Sequence, residues 1–336
     1  MRIIEIAWYR YWDLVQPWMK RRLPWLDRPL MRAFHRYEIW RVSESATRLL
    51  GRRWKRSLRR IDIDITYACN LRCNDCNRSV PQALSSTSLT KRDVERFVVD
   101  TVANGHNWEL IKLAGGEPTL HPQFLEILDV LRDYRRRHNP RVRIFVCTNG
   151  YGDRVKRIIA QIPADIVVDN TAKSGSLQED FEPFNRAPCD LAEHRRSDYT
   201  NGCWITQYCG IGLTPSGYYQ CSIAGGIDRV FGLDVGRCTI PVPSDPLHDQ
   251  MDALCRYCGH FCKQFTPEAQ DERLTASWQK AYADWRDRSA KRRRSTAKPT
   301  VAAQSETALY TRPPILVTAS PMAASAPENI LQDSKE

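Results

Sequence analysis

Residues 60–76 read R-I-D-I-D-I-T-Y-A-C-N-L-R-C-N-D-C and set the architecture expected of the chain. The isoleucine-rich residues 60–66 predict a β-strand. A loop carrying Cys69, Cys73 and Cys76 follows at once. A disulfide would pair two of these three thiols and leave the third unpaired. A zinc site normally takes four ligands, so three thiols are too few for it. A [4Fe–4S] cluster held by three cysteines instead leaves one iron open to a small molecule, so the loop predicts an iron–sulfur centre.

Short strands and helices alternate from this point on. Strands are predicted over residues 60–66, 108–113, 141–147 and 164–169, and helices over residues 90–104, 122–138 and 153–161. Such repeats place the strands in parallel, with the helices as crossovers, in an open sheet or a barrel. Residues 171–202 show no regular pattern. Residues 205–213 and 218–222 predict a hairpin about the turn P-S-G at residues 215–217.

Two further motifs follow the second and third strands. Residues 115–118 read G-G-E-P and residues 148–150 read T-N-G. Together with the C-x3-C-x2-C loop, in this order at the ends of successive strands, they resemble the signature of the radical S-adenosylmethionine (radical SAM) superfamily. The resemblance implies that five residues bind the cofactor: Gly115, Gly116, Glu117, Pro118 and Asn149. One departure is Asp75, which stands where this family often has an aromatic residue that helps place the adenine.

The resemblance also implies a fold and a set of cofactors. The fold is α/β, a partial (β/α) barrel of radical SAM type with a small cysteine-rich hairpin and helix extension. Only about thirty residues separate the fourth strand from Cys203, so the barrel is either truncated or completed by the hairpin. The cofactors are a [4Fe–4S] cluster on the first three cysteines and S-adenosylmethionine at its open iron. Reductive cleavage would give a 5′-deoxyadenosyl radical, which the protein orients and shields from water.

Seven further cysteines lie between residues 203 and 262. Their pattern, C-x5-C, then G-Y-Y-Q-C, then C-R-Y-C-G-H-F-C, resembles the auxiliary-cluster region of radical SAM proteins called SPASM, or twitch in its shorter form. It implies a second [4Fe–4S] cluster with ligands among Cys203, Cys209, Cys221, Cys255, Cys258 and Cys262. The four leading ligands are Cys209, Cys221, Cys255 and Cys258, and Cys238 is spare. A zinc site is the alternative, because C-x2-C with further Cys or His is also a zinc pattern.

The sequence divides into five predicted segments. These are a basic, Trp-rich helical segment at residues 1–59, a radical SAM core at 60–202, a cysteine-rich auxiliary region at 203–265, a helix at 266–291 and a disordered tail at 292–336. In the first segment, helices are predicted over residues 1–16 and 29–50.

Charge is concentrated at the start of the chain. Residues 1–60 contain 16 basic and 5 acidic residues, and the other residues contain 34 of each, so the first segment accounts for the net charge of +11. Six of the ten tryptophans also lie there. Such a segment either packs on the enzyme or lies in a membrane interface. Clustered cysteines, and no evident signal peptide or apolar span, predict a cytoplasmic protein, with peripheral contact at the inner membrane face as the alternative.

The function expected from the resemblance is radical modification or oxidation of a sugar, lipid-linked glycan or peptide. The electron would come from a flavodoxin- or ferredoxin-type reductant. Two alternatives remain at this point. The basic, aromatic first segment would suit a nucleic-acid-modifying enzyme, although the neutral body of the chain argues against nucleic acid. A non-catalytic iron–sulfur or zinc-binding scaffold is the other, and the presence of Glu117 with the three cysteines argues against it.

Overall fold

A six-stranded sheet forms the centre of the molecule, in a computed structural model that describes residues 18, 21–84, 87–175, 184–261 and 274–296. The strands are β1 (Arg60–Thr66), β2 (Leu110–Gly115), β3 (Arg143–Thr148), β4 (Val167–Asn170), β5 (Ile211–Thr214) and β6 (Gly217–Tyr219). Their order is β4-β3-β2-β1-β5-β6, with five parallel strands and β6 antiparallel to β5. The sheet does not close on itself, so the expected partial barrel is open.

Nine α-helices in the described residues surround the sheet. They are α1 (Pro24–Arg41), α2 (Glu44–Leu50), α3 (Lys91–Ala103), α4 (Phe124–Arg137), α5 (Asp153–Ile159), α6 (Trp204–Tyr208), α7 (Ser222–Phe231), α8 (His248–Cys255) and α9 (Ala276–Thr296). Helix α3 confirms the predicted helix and its cap, because Thr90 and Asp93 form a reciprocal capping box. None of the helices in the described part of the chain combines the length and apolar character needed to cross a membrane.

Strand β1 separates two chemically different faces of the sheet. Ile61, Ile63 and Ile65 are fully buried in an apolar core with side chains of α3 and α4. Burial of an isoleucine side chain contributes about 1.5–3 kcal/mol, so this strand anchors the fold. Asp62 and Asp64 alternate with the isoleucines and are also buried, on the opposite face.

The predicted hairpin was partly wrong. Residues 204–208 form helix α6 rather than strand, and the hairpin proper is β5 and β6. Strand β5 pairs in parallel with β1, with Ile61 opposite Ile211. The hairpin therefore extends the main sheet, which explains why so few residues separate it from β4. A local sequence pattern cannot show this pairing, because β1 and β5 are about 150 residues apart.

Helix boundaries also differ from the predictions at both ends of the chain. The helix expected over residues 29–50 begins at Pro24, which suits the first helical position, and is divided at Ser43. There the extended Ser43 caps α2 by accepting a hydrogen bond from the Ala46 N–H. The C-terminal helix was predicted to end at 291 but continues to Thr296. The predicted helix over residues 1–16 and the rest of the predicted disordered tail lie outside the described residues.

The described part of the basic first segment is docked on the enzyme. Arg53 and Glu38 form a buried, two-pronged ion pair, with N···O distances of 2.6 and 2.7 Å. The Arg53 backbone N–H also donates to Asn201 Oδ1 at 2.8 Å. Val42 is fully buried against Tyr199 and other side chains near the second cysteine group. These contacts agree with the expectation that this segment packs on the enzyme.

A buried histidine in the same region predicts a pH dependence of stability. His194 is 2% exposed, and burial lowers its pKa to about 4. The unfolded chain has an ordinary histidine pKa near 6.5, so it takes up a proton first as the pH falls. The stabilisation is therefore present above pH 6.5 and is lost between pH 6.5 and 4, with a loss of about 2 kcal/mol from pH 7 to 5. We expect His194→Gln to remove this part of the pH dependence.

Urea unfolding at pH 7 and pH 5 measures this effect. Exposed His138, at the end of α4, offers a matched control, and His138→Gln should keep the wild-type difference between the two pH values. An unchanged difference in the His194→Gln protein would show that His194 is not responsible.

Candidate functional site

The first cysteine loop lies at the end of β1, beside the loops that follow β2 and β3. Cys69, Cys73 and Cys76 are half-buried free thiols. The Glu117 N–H after β2 donates to the Ala68 carbonyl at 2.8 Å and so ties the second loop to the first. The parallel order of the sheet thus brings the three sequence motifs to one edge.

Several donors face the sulfur atoms of this loop. The Leu71 N–H donates to Cys69 Sγ at 3.4 Å, and Asn149 Nδ2 lies 4.0 Å from the same sulfur. Lys173 Nζ lies 3.7 Å from Cys73 Sγ. Burial raises the pKa of the Cys69 thiol to about 11, and the Leu71 N–H partly opposes this. These donors favour negative charge on sulfur, and a bound metal would supply the positive charge that burial demands.

The two glycines of G-G-E-P allow the neighbouring loops to touch. A Cβ atom at Gly116 would lie 2.3 Å from the Ala68 carbonyl oxygen, and one at Gly115 would lie 2.4 Å from the Thr66 oxygen. Gly115 also has φ +124°, a conformation that other residues rarely adopt. Both positions therefore require glycine for the backbone contact with the cysteine loop, independently of any cofactor.

Glu117 joins the second loop to the third. Its side chain is fully buried, and Oε1 accepts hydrogen bonds from the Thr119 hydroxyl (2.6 Å), the Thr119 N–H (3.2 Å) and the Thr148 hydroxyl (2.7 Å). Oε2 accepts the Asn149 N–H at 2.7 Å. The resemblance assigns this carboxylate to the amino group of the cofactor. Here the carboxylate already accepts four hydrogen bonds from protein groups, so it holds the loops after β2 and β3 together.

Asn149 links the third loop to the cysteines. Its Nδ2 donates to Asn70 Oδ1 at 2.9 Å, and its Oδ1 accepts the Tyr151 N–H. Asn70 Nδ2 in turn donates to the Tyr151 carbonyl at 2.6 Å. The expected cofactor residue Asn149 is thus held directly beside Cys69. Pro118, the remaining residue of the predicted set, is buried at the start of a short 3-10 helix.

Asp75 has a structural partner of its own. The residue has a left-handed backbone conformation, with φ 50°, and its Oδ1 accepts a hydrogen bond from Asn185 Nδ2 at 2.8 Å. Tyr282 of α9 also hydrogen-bonds the Asn185 side chain. A C-terminal helix therefore reaches the loop that carries Cys76.

Buried charges line the face of the sheet opposite the apolar core. Asp62 accepts from Ser222 Oγ at 3.1 Å and forms ion pairs with Lys112 (3.1 Å) and Arg78 (3.3 Å). Arg78 Nε lies 3.2 Å from Asp64 Oδ1. Burial raises the pKa of Asp64 to about 6, against the opposing effect of Arg78. This face of the sheet thus carries a network in which buried acidic and basic side chains offset one another's charge.

Four cysteines of the second group line one small cavity. They are Cys203, Cys221, Cys255 and Cys258, all buried, and the rest of the lining is mostly apolar. Backbone N–H groups approach the sulfur atoms of Cys203, Cys221 and Cys258, and Gln220 Nε2 lies 3.8 Å from Cys255 Sγ. Cys221 is the N-cap residue of α7. Cys255 is the last residue of α8, and Cys258 follows just after that helix.

Burial controls the chemistry of these four thiols. It raises the pKa of Cys203 to about 11 and that of Cys221 to about 12, and it raises the pKa values of Cys255 and Cys258 well above the ordinary range. The four groups also disfavour one another's ionisation. Thiolates in this cavity would need a metal charge to stabilise them.

The other cysteines lie elsewhere. Half-buried Cys209 is one of the four leading ligands expected from the sequence. It packs against the buried apolar side chains around the cavity but does not line the cavity. Its charged neighbours are Asp62 and Lys112. Cys203 lines the cavity instead of Cys209, because the short helix α6 separates the two cysteines. Cys238 is exposed, and Cys262 lies outside the described residues.

In the described residues, no group of three or more His, Cys, Asp or Glu side chains forms a ready site for a single metal ion. Sequence reasoning did not identify Lys173 beside Cys73 or the paired acids of β1. Lys173 gives no local signal, since it is 100 residues away from its partner. The alternation of Asp62 and Asp64 with three isoleucines was visible, but it indicates a strand with one polar face and gives no sign that this face is buried.

Comparisons with known proteins agree with the resemblance that the sequence motifs show. Residues 63–168 match the family model described as "Radical SAM superfamily". A probable GTP 3′,8-cyclase from Thermococcus kodakarensis is 34% identical over 86 residues, which is 26% of this chain and 27% of that protein. The GTP 3′,8-cyclase of Pasteurella multocida is 37% identical over 92 residues, covering 26% and 25%. The chain thus spans about a quarter of the length of these relatives.

A solved structure was also similar. It is titled "Crystal structure of BtrN in complex with AdoMet and 2-DOIA" and is 14% identical in sequence, with a TM-score of 0.39. The match covers 66% of this chain and 98% of the other.

Proposed function

We propose that this chain, which contains a radical SAM domain, binds a [4Fe–4S] cluster through Cys69, Cys73 and Cys76 and S-adenosylmethionine at the open iron. The donor set fits, because thiolates are the usual ligands of such clusters and three of them leave one iron free. When bound and reduced, the cluster would supply the electron that cleaves S-adenosylmethionine to methionine and a 5′-deoxyadenosyl radical. The proposal is carried by the meeting of the cysteine, G-G-E-P and T-N-G loops at one edge of the sheet.

The chain's own residues would hold and insulate this centre. Lys173 and the Leu71 N–H offset negative charge on the sulfur atoms. Glu117 fixes the loops after β2 and β3 relative to each other, so that Asn149 stays beside Cys69. Backbone groups at Gly115 and Gly116 approach the cysteine loop closely and leave no room for water between the two loops.

We further propose an auxiliary [4Fe–4S] cluster on Cys203, Cys221, Cys255 and Cys258. Four buried thiols around one cavity support this ligand set over the set that includes Cys209. Full cysteine ligation leaves no iron open, which suits electron transfer rather than direct binding of substrate. A zinc ion in the same four-cysteine site is the alternative outcome.

The reaction is proposed as oxidation or modification of a small molecule, glycan or peptide, with a flavodoxin- or ferredoxin-type protein as reductant. The relatives named GTP 3′,8-cyclase add a nucleotide to the candidate substrates, although they match over about a quarter of their length. Trp25 and Trp40 are 72% and 46% exposed on the basic first segment, which supports peripheral membrane contact as a further possibility. The protein would then act at the cytoplasmic face of the membrane.

Anaerobic reconstitution of the full chain tests the proposal. We expect about eight irons per chain, since each cubane contains four, and formation of 5′-deoxyadenosine when dithionite and S-adenosylmethionine are added. We also expect the electron paramagnetic resonance spectrum of the reduced protein to change on addition of S-adenosylmethionine. Zinc in the first loop, or fully reconstituted protein without a spectral response and without product, would overturn the proposal. About four irons together with stoichiometric zinc would overturn the auxiliary cluster alone.

A further inference from the structure

Helix α1 has one side that is fixed to the body of the protein. Phe34, Glu38 and Arg41 follow one another at helical spacing, and all three are buried. Glu38 forms the buried ion pair with Arg53, and Arg41 donates a hydrogen bond to the Gly51 carbonyl at 3.1 Å. Because these contacts hold one side of the helix inward, the opposite side faces outward.

Two tryptophans lie on the outward side of α1. Trp25 is 72% exposed and Trp40 is 46% exposed. Their positions in the sequence place them about four helical turns apart, so both side chains leave the same side of the helix at points roughly 22 Å from each other. The ring centre of Tyr37 lies 6.0 Å from that of Trp40. A single exposed apolar side chain is ordinary, but two tryptophans aligned along one helix indicate a contact surface.

Positive charge lies between the two tryptophans. Arg32 and Arg36 are about one helical turn apart on the same side of α1, and both are exposed. Neither forms an ion pair or a hydrogen bond with a residue in the described part of the chain. Among the side chains of α1 that the structure describes, the exposed ones include no aspartate or glutamate. We call this surface the outer face of α1; it consists of Trp25, Pro29, Arg32, Ala33, Arg36 and Trp40.

Acidic residues near the helix already have other partners. Glu44, which follows α1 in the chain, pairs with Arg48 at 3.3 Å. Glu193 approaches the His35 ring at 3.3 Å. The excess of 16 basic over 5 acidic residues in residues 1–60 also makes the wider surroundings of α1 positive. The outer face of α1 is therefore complementary to a surface that carries negative charge.

We propose that the outer face of α1 docks the protein on a membrane that contains anionic lipids. Tryptophan is favoured at the boundary between the lipid headgroups and the apolar layer, and arginine binds phosphate oxygens. The helix would lie flat on the membrane, with Trp25 and Trp40 as anchors and with Arg32 and Arg36 against the headgroups between them.

The shape of this surface favours a membrane over nucleic acid. The outer face of α1 is the convex side of a single helix, whereas proteins that bind a nucleic-acid strand hold its backbone in a groove. The inference deepens the proposed function, on which it rests for the contact with a membrane, by naming the helix face that makes this contact and the class of lipid.

Flotation of the reconstituted full chain with lipid vesicles, with its iron content measured in the same sample, tests the proposal. Vesicles of phosphatidylcholine with a quarter of phosphatidylglycerol are compared with vesicles of phosphatidylcholine alone. We expect binding to the anionic vesicles to be tighter by about tenfold or more and to weaken as salt is added, because exposed charges are screened. Arg32→Ala/Arg36→Ala should weaken binding to the anionic vesicles by about tenfold or more. Trp25→Ala/Trp40→Ala should weaken it by a similar factor, because the apolar anchors are lost.

Arg154→Ala/Arg157→Ala is the matched control, because it removes the same charge from two exposed arginines of α5. Its affinity for the anionic vesicles should stay within about threefold of that of the wild type. Arg32→Lys/Arg36→Lys should keep most of the binding, since the charge is retained. All these positions are exposed, so each variant should unfold at the wild-type temperature.

Four results would overturn the inference. They are no binding to anionic vesicles, equal binding to both kinds of vesicle, equal losses in the Arg32→Ala/Arg36→Ala and control proteins, and displacement of the protein from vesicles by a short RNA. A wild-type dimer that Trp25→Ala/Trp40→Ala separates would assign this face to a second copy of the chain and would also overturn it. Failure to bind vesicles with full iron content and 5′-deoxyadenosine formation leaves the proposed chemistry standing, whereas vesicle binding by protein that takes up no iron means the reverse.

Discussion

Cys73→Ala protein is expected to form no detectable 5′-deoxyadenosine and to hold about four irons per chain after reconstitution, against about eight in the wild type. The reason is that two remaining thiols, those of Cys69 and Cys76, cannot retain a cubane at the end of β1. The auxiliary cavity is built from other elements, so its cluster should remain. Iron analysis and chromatography of the reaction products measure both effects.

Cys238→Ala provides the control for this experiment. Cys238 is an exposed cysteine that belongs to neither the first cysteine loop nor the lining of the auxiliary cavity, and its replacement should leave iron content and product formation unchanged. Retention of all eight irons, or of product formation, in the Cys73→Ala protein would contradict the assignment of the first loop. Loss of all the iron would instead show that the two sites assemble together. Adding Cys221→Ala and Cys255→Ala to Cys73→Ala leaves two thiols in the auxiliary cavity and should remove the remaining four irons.

Glu117→Ala is expected to destabilise the protein by about 3–5 kcal/mol as well as to impair the cofactor site. The buried carboxylate accepts four hydrogen bonds, and its removal leaves the hydroxyls of Thr119 and Thr148 and the N–H of Asn149 without an acceptor. Each unsatisfied buried donor costs about 1–3 kcal/mol, and relaxation reduces the sum. Chemical unfolding of the protein before reconstitution measures this loss without any contribution from bound clusters.

Glu126→Ala removes the same charge from the exposed surface of α4 and should change stability by less than about 1 kcal/mol. Glu117→Gln keeps the shape and one acceptor oxygen, and its stability should lie between those of the wild type and Glu117→Ala. If Glu117→Ala unfolds like the wild type but no longer responds to S-adenosylmethionine, Glu117 acts mainly as a cofactor contact. Loss of stability would identify it as the residue that locks the three loops together.

Together, the two experiments separate the ligands of the first centre from the residues that position them. Cys73 would act through metal binding, so its loss should appear in iron content. Glu117 would act through the loops that approach the cysteines, so its loss should appear first in the unfolding free energy.

The sequence was sufficient to predict that the three motifs meet at one edge of the sheet, because its signals are local. The cysteines lie within eight residues, and the glycines and Glu117 adjoin the end of one strand. The alternation of strands and helices predicted the parallel arrangement, and a parallel sheet brings the ends of its strands to one edge. Residues 63–168, which contain these motifs, match the family model described as "Radical SAM superfamily".

Tertiary structure alone decided the features that depend on distant pairings. Strand β5 joins β1 across about 150 residues, and Cys203 rather than Cys209 reaches the auxiliary cavity because a short helix separates them. Glu117 looks like a cofactor ligand in its motif, but its partners lie on β3 and its loop. Spacing encodes contacts made within one turn or loop, whereas contacts between elements depend on the packing of the whole chain.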